Sequence, residues 1–494
     1  MFDAVPDMAA KRAELSGDTL AFRDTRTGRD WTFREVDAAA NGAAGALRDR
    51  GLVEGDRIAC LCLNGAGFFV LLLACQKAGL ILCPLNWRQP AAELADAVAL
   101  MTPRLILHDD AMADLAAAVA EEAAIPAASF DEGAALWQPG QPGSVGMIPA
   151  DRPWYLLCTS GTTGRPKAVI QTARMAWANA VNIGQAIHLT AADRSVNFLP
   201  IFHTAGINLY TMPVFLTGGS STILPKFEPQ DILGLLRSGG VTQFFGVPAI
   251  YQAFSLSPDV GDVDWSGVRC GCGGAPLPEP LIRFFAERGA KVLNGFGMTE
   301  TGPTVFLMDE ANAEAKIGSV GRPQMLTECR LDGVPDGTPG EGEILLRGPN
   351  VTPGYFDNPE ATAAAFAPGG WLRSGDVGQR DADGFLRIVD RIKDMYISGG
   401  ENVYPAEVER VLVEHPDVLE AAVIGVPDEK WGETGAAFLI ARPGHRIEPE
   451  ALRAWCRARL AAYKIPATVQ VLEDFPRTAA GKVRKPDLRA RNER

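Results

Sequence analysis

The sequence predicts an α/β protein of several units, and three observations carry that prediction. Short apolar runs alternate with helical stretches through roughly the first two-thirds of the chain, the pattern of a parallel sheet covered on both faces. From Cys329 to Asp390 the runs are separated by turn signals such as PDGTPGEG and DADG, which reads as antiparallel strands in a small barrel-like subdomain. The remaining unit, about 100 residues, reads helix, strand, strand, helix, strand. A chain of 494 residues is too long for one ordinary core, and at roughly 150 residues per domain about three units are expected.

The elements follow in order. LAFRD and RDWTF read as strands, and Thr32 with Glu35 forms a capping box that starts a helix closed by Gly51. DRIACLCLN reads as a buried strand, FFVLLLACQKAG as a helix and RLILHD as a further strand. The Ala- and Glu-rich stretch from Met112 to Ala128 is expected to be helical throughout, and QPGQPGSVG at 138–146 to be a surface loop. The alternation continues from 151 to about 325. GEILLRG and GFLRIVD are strands of the antiparallel unit; AAVIGVP, GAAFLIA and TVQVLE are strands of the last one, with PEALRAWCRARLA a helix. There is no internal repeat.

Composition excludes several classes. With 47% apolar and 22% charged residues the chain reads as a soluble globular protein, and a net charge of -13 argues against a nucleic-acid partner, which rewards clustered Lys and Arg. The opening MFDAVPDMAAKRAELSGD lacks the basic head and apolar block of a secretory signal, so a cytoplasmic location is expected. The most apolar run, GFFVLLLAC, is stopped by Gln76 and Lys77 well short of a bilayer span, so no integral membrane association is expected. Nine cysteines occur singly or as Cys60/Cys62 and Cys270/Cys272, without zinc-knuckle spacing; they are expected to be reduced and mostly buried. Oligomeric state has no signature here.

The stretch CTSGTTGRPKAVIQT, Cys158 to Thr172, packs hydroxyls between glycines and ends in Pro166-Lys167, ahead of a segment that reads as helix. Its spacing fails the phosphate-loop motif of nucleoside triphosphatases, and the dinucleotide G-x-G-x-x-G fingerprint is absent. Backbone N–H groups, several hydroxyls and two cations remain, enough to wrap a triphosphate tail; in isolation the same loop would pass for a surface turn.

YLLCTSGTTGRPKAV closely resembles the signature loop of the adenylate-forming acyl-CoA synthetases, the superfamily that includes firefly luciferase and peptide-synthetase adenylation domains. The resemblance recurs in order along nearly the whole chain: LPIFHTAG at 199–206, CGGAPLP at 272–278, NGFGMTET at 294–301, WLRSGDVG at 371–378, DRIKDMYISGGENVYPAEVE at 390–409 and PRTAAGKVRK at 476–485. It implies a large N-terminal AMP-binding and acyl-binding domain, residues 1–392, of two doubly wound α/β subdomains plus a small β-barrel subdomain. A hinge would join it to a small, mobile α+β domain, residues 393–494.

It implies an acid–thiol ligase using ATP, Mg²⁺ and coenzyme A, with a small carboxylic acid and coenzyme A as partners. A carboxylate attacks the α-phosphate, pyrophosphate leaves, and the acyl-adenylate then yields a thioester; the negative charge of the first transition state must be met by fixed donors and a metal. By resemblance Thr159, Ser160, Gly161, Thr162, Thr163, Gly164 and Lys167 hold the departing phosphates, and Glu300 with Thr159 or its neighbours holds Mg²⁺, for which hard oxygen ligands are suited. Thr299 belongs beside the α-phosphate. Phe296 stacks on adenine, with Gly273, Gly274, Ala275 and Pro276 closing the other side and Gly295, Gly297 and Met298 flanking it. Asp376 accepts from the ribose hydroxyls and Arg391 contacts the ribose. Lys482 bridges carboxylate and α-phosphate, Lys393 is the pivot, and Gly399, Gly400 and Glu401 are further cofactor-binding positions. His203, Gly273 and Gly297 line the acyl pocket.

Taken singly these residues have plainer readings. Glu300 would be a surface carboxylate, Phe296 a core aromatic, Asp376 a turn residue, His203 a packed core histidine, and Lys482 a solvated charge in the basic KVRK tail. Two departures from the family pattern stand at Ala168 and at Gln171-Thr172, where relatives have Gly and a Ser/Thr-His pair. Gly295 stands where dicarboxylate-specific relatives carry Arg, and Gly271, Gly273 and Gly274 leave room for a flat or long group. The local wording resembles bacterial feruloyl-CoA and related aryl or medium-chain synthetases, so an aryl or phenylpropenoic acid is expected. A medium-chain acid, or transfer to a separate acyl carrier protein, is the alternative.

Overall fold

A computed structural model describes residues 3–130, 140, 145–160, 166–275, 277–429, 431–478 and 481–492. Its centre is a helix that no surface position could accommodate. Ala66–Ala78 buries Phe68, Phe69, Val70, Leu71, Leu72 and Leu73 on every side, and a helix apolar all round must lie between layers. One layer is a six-stranded sheet ordered 166–172, 153–160, 81–84, 57–61, 105–108 and 127–129, parallel except for the hairpin 153–160/166–172. The other is a nine-stranded sheet whose strands 292–296, 269–272, 243–246, 194–197, 220–223 and 20–24 run parallel, with antiparallel partners at both edges. The alternation predicted a parallel sheet covered on both faces, and two are present, the number the family resemblance implied.

Local chemistry explains the element ends. Thr32 Oγ1 accepts from the Glu35 N–H and Glu35 Oε2 accepts from the Thr32 N–H, so the predicted capping box starts helix Phe33–Asp49. Helix Ala66–Ala78 has Gly65 before it and no cap of its own; Asp24, at the end of a strand of the other sheet, accepts from the Ala66 N–H at 2.8 Å. The helix expected to reach Ala128 instead spans Ala113–Ala123. Ala124 turns left-handed with φ 52°, Pro126 has no N–H to continue the ladder, and Ala127–Ser129 forms an edge strand beside Leu105–His108. The surface-loop reading at 138–146 falls mostly outside the described residues.

Strands Glu328–Leu331, Gly340–Arg347, Phe366–Ala367, Trp371–Arg380 and Leu386–Arg391 pair antiparallel as the turn spacing predicted. The last unit pairs Val418–Asp428 with Gly432–Ala441 and sets Thr468–Val471 parallel beside the latter, with helices Pro405–Val413 and Pro449–Arg457 packed on it. The KVRK tail is not simply solvated charge: Lys485 pairs with Glu409 at 2.8 Å and opens helix Lys485–Asn492, which buries Leu488. All nine cysteines are unpaired, seven of them buried. Among the described residues no helix is long and apolar enough to cross a membrane.

The capping box gives a direct test of local control. Thr32→Ala removes the acceptor for the Glu35 N–H and is expected to lower stability by about 1 kcal/mol in urea unfolding. Thr32→Ser should retain nearly all of it.

Candidate active site

Four segments leave the carboxyl ends of neighbouring parallel strands and converge. His203 follows Arg194–Asn197, Val247 follows Gln243–Gly246, Gly273 to Ala275 follow Arg269–Cys272, and the turn Thr299–Thr301 follows Val292–Phe296. Strand Arg194–Asn197 has 220–223 on one side and 243–246 on the other, so the strand order reverses beside it. Such a switch point leaves a crevice at the strand ends, where open α/β sheets bind ligands.

The turn carrying Thr299 and Glu300 is held along its length. Gln171 Nε2 donates to the Thr299 carbonyl at 2.8 Å, the Thr352 N–H to the Glu300 carbonyl at 2.8 Å, and Asn350 Nδ2 to the Thr301 carbonyl at 3.1 Å. Glu300 is 7% exposed, and the Tyr355 hydroxyl donates to its Oε1 at 3.0 Å. One carboxylate oxygen is thereby oriented and the other is left for a hard cation, so the oxygen donors present fit Mg²⁺. Lys167 faces Thr159 across the hairpin, and its ammonium lies 4.8 Å from the centre of the Tyr355 ring. The Thr159 hydroxyl donates to the Lys167 carbonyl at 3.4 Å. Tyr355 thus touches both Lys167 of the hairpin and the Glu300 carboxylate. Gly161, Thr162, Thr163, Gly164 and Pro276 lie outside the described residues, and Ser160 ends the first hairpin strand.

Asp376 and Arg391 are direct partners across the antiparallel pair Trp371–Arg380 and Leu386–Arg391, with Arg391 Nε 3.4 Å from Asp376 Oδ1. Burial raises the Asp376 pKa, while Arg391 and Lys482 oppose the rise. Phe296 is half-buried, 5.9 Å from Phe306 between ring centres. The glycines that flank Phe296 have packing roles of their own. A Cβ on Gly297 would collide with the carbonyl of Pro303, so this glycine serves the close approach of the returning chain, and Met298 takes the extended conformation that starts the turn.

Lys482 arrives from the last unit in a tight loop. The Thr478 N–H donates to the Lys482 carbonyl at 2.7 Å and the Lys482 N–H to Thr478 Oγ1 at 3.1 Å, while Arg477 anchors the loop to Glu420 at 2.7 Å. Lys482 Cε comes within 3.7 Å of the point a Cβ on Gly274 would occupy. The side chain keeps access to solvent but is crowded by protein. Loss of water, then Arg391, lowers its pKa to about 8, with Asp376 and Glu300 pulling the other way. His203 is held near 4 by burial, then by Lys482 and Arg88, so it is neutral at pH 7; its Nε2 has no hydrogen-bond partner among the described residues.

Lys393 is exposed in the turn closed by the Met395 N–H donating to the Arg391 carbonyl at 3.2 Å. Gly399 and Gly400, both at positive φ, form the two-residue turn between Tyr396–Ser398 and Glu401–Val403. The Gly399 N–H donates to the Trp431 carbonyl at 2.8 Å, so this turn packs within its own unit. Sequence reasoning missed Tyr355, Arg477 and Thr478, and treated Gln171 only as a departure. The PGYFDNPE stretch signals a turn but not that its Tyr meets Glu300.

The Lys482 environment predicts a pH profile. The ammonium is charged below about pH 8 and loses its charge as pH rises through that value, so a reaction in which it faces a phosphate should lose kcat/KM along a basic limb near pH 8. Lys482→Arg, whose charge persists, should move that limb beyond pH 10. A flat wild-type profile to pH 9.5 would remove Lys482 from the phosphate chemistry.

The AMP-binding enzyme family profile matches residues 9–356, and the AMP-binding enzyme C-terminal domain profile matches residues 407–482. The chain is 40% identical over 489 residues to a feruloyl-CoA synthase of an Amycolatopsis species, covering 97% of each protein. The structure of o-succinylbenzoate CoA synthetase from Bacillus subtilis with its acyl-adenylate intermediate superposes with a TM-score of 0.88 at 31% identity, over 99% of this chain and 98% of that one. The same enzyme with ATP and magnesium ion gives 0.88 at 30% identity, over 98% and 100%.

Proposed function

From the premise that the chain belongs to the AMP-binding enzyme family and is an AMP-forming acyl-CoA synthetase, we propose that it activates an aryl or phenylpropenoic acid. The reaction uses ATP, Mg²⁺ and coenzyme A and passes through an acyl-adenylate. The observation that carries the residue assignments is the meeting of Lys482, from one unit, with Glu300, Asp376 and Gly274 of the other.

In the first step the acid's carboxylate attacks the α-phosphate and its oxygen forms the new P–O bond as the bond to pyrophosphate breaks. Lys482 lies between carboxylate and phosphate and offsets their repulsion. Lys167 and the 159–164 loop hold the departing phosphates, Glu300 and Thr159 hold the Mg²⁺ that offsets phosphate charge, and Thr299 stands beside the α-phosphate. Asp376 and Arg391 fix the ribose; Phe296 and the Gly273–Ala275 backbone enclose adenine. In the second step the thiolate of coenzyme A attacks the acyl carbon and AMP leaves. One face cannot present Lys482 to the phosphate and also admit a thiol, so the unit 393–494 turns about Lys393 relative to 1–392, and Gly399, Gly400 and Glu401 then reach the cleft.

The acid is inferred from the apolar character of the buried side chains behind the strand ends, Leu209, Tyr210, Phe245 and Leu293 among them, where apolar area gains roughly 25 cal/mol per Å². The cations that act on His203 are Lys482 and Arg88. The feruloyl-CoA synthase relative supports the same class.

Two measurements test this reading. Lys482→Ala should abolish pyrophosphate release from acid and ATP yet still form thioester from supplied acyl-adenylate, and Lys393→Pro should show the reverse, keeping adenylation while thioester formation falls far more. Across a panel of acids, kcat/KM for cinnamate should exceed that for malonate at least ~100-fold, or about 2.7 kcal/mol. Preference for malonate, succinate or acetate would overturn the assignment.

A further inference from the structure

Lys482 follows Gly481, whose φ of 80° belongs to a conformation that glycine adopts freely, so the local backbone does little to fix it. The fold supplies a clamp on each side instead. On the following side, Val483 packs against an apolar cluster of the last unit that includes Leu472, Phe475 and Leu488. On the preceding side, the Arg477 guanidinium uses all three of its nitrogens. Nη1 donates to the Gly481 carbonyl at 3.3 Å, and Nη2 donates to both Glu420 carboxylate oxygens, at 2.9 and 2.7 Å. Nε donates to Asp474 Oδ1 at 3.3 Å, and the central carbon lies 5.6 Å from the centre of the buried Phe475 ring. Glu420 belongs to strand Val418–Asp428, which is paired along its length with Gly432–Ala441. The peptide group shared by Gly481 and Lys482 is therefore tied, through one side chain, to the sheet of the last unit.

An ordinary surface ion pair would not need this arrangement. The side chains of Arg477 and Glu420 keep 21% and 28% of their surface accessible, and pairs in such settings contribute little to stability. The bond to the Gly481 carbonyl adds nothing to the attraction between the two charges; it fixes the backbone next to Lys482. A long side chain magnifies any tilt of the backbone that bears it. Misplacing a reacting group by about 1 Å can lower a rate about 100-fold.

Resting on the assignment of Lys482 to adenylation, we propose that Arg477 is a positioning residue for the first half-reaction. With Glu420 as its anchor, it holds the Lys482 backbone at the angle that brings the side chain up to Gly274. It acts through Lys482 alone, so thioester formation, which does not use that ammonium, does not depend on it.

Arg477→Lys keeps a cation for Glu420 but loses the planar fork that also reaches Gly481. With acid, ATP and Mg²⁺ saturating, kcat for pyrophosphate release should fall ~10- to 100-fold while KM for ATP changes by less than about 3-fold, because the ammonium matters most in the transition state. Thioester formation from supplied acyl-adenylate, measured on the same preparation, should stay within about 2-fold of wild-type. The pH profile adds a readout that folding damage does not move. An ammonium freed from its crowded seat regains water, so the basic limb near pH 8 should shift upward, toward the ordinary lysine value of 10.5. Glu420→Gln, which keeps an acceptor but not the charge, should give a smaller loss of the same kind, and combining it with Arg477→Lys should cost less than the sum of the two. Equal losses in both half-reactions would make Arg477 a structural ion pair and overturn the proposal, as would an unchanged kcat or an unmoved limb. Pyrophosphate release by Lys482→Ala would overturn the assignment of Lys482 itself, and the proposal with it.

Discussion

The architecture depends on one burial. Helix Ala66–Ala78 has no polar face, so it is stable only with a sheet on each side. Each fully buried Leu or Phe contributes roughly 1.5–3 kcal/mol, and with Phe68, Phe69 and Leu71 to Leu73 together this outweighs any polar contact between the sheets. Polar contacts set the register instead. Asp24 from one sheet receives the helix N-terminus, and Asn64 Nδ2 donates to Asn197 Oδ1 at 2.8 Å and to the Leu199 carbonyl at 2.7 Å. The strand ends that carry His203, Val247, Gly274 and Glu300 are thereby set against the hairpin that carries Lys167.

That frame explains the division of labour in the cleft. The turn is over-determined: the three carbonyls of Thr299, Glu300 and Thr301 each have a donor, one from Gln171 and two from the segment 350–352, and Glu300 is also held by Tyr355. Preorganised donors of this kind cost little reorganisation when charge develops. Lys482 is presented differently, by a loop whose internal bonds lie within the last unit and whose contact with the large unit is the approach of Gly481 to Val247 and of Lys482 to Gly274. An ammonium can be delivered and withdrawn this way without dismantling the rest of the site.

The segment between the two units is bonded to both. Asp390 ends a strand of the antiparallel sheet, yet its Oδ2 accepts from the Ala406 N–H at 2.7 Å, capping helix Pro405–Val413 from outside. Asp394 pairs with Arg489 of the C-terminal helix at 3.2 Å. Residues on both sides of Lys393 are therefore bonded to the small unit, so a turn of that unit about Lys393 has to release the bond between Asp390 and Ala406.

Period and punctuation alone determined much of this molecule. The alternation of apolar runs implied a parallel sheet covered on both faces, Thr32 and Glu35 announced a helix start, and PDGTPGEG and DADG marked antiparallel turns, because each of these signals acts within a few residues. Ordered motifs likewise exposed Lys482, Glu300, Asp376 and Phe296 as one set. What acts across the chain was illegible. No spacing shows that Tyr355 would orient Glu300, that Gln171 would hold Thr299, or that Phe245 and Tyr210 would pack directly on the backbone of Gly271 and Gly273. Those contacts join residues tens to well over a hundred positions apart, and only the packing of two sheets around one apolar helix decides which of them meet.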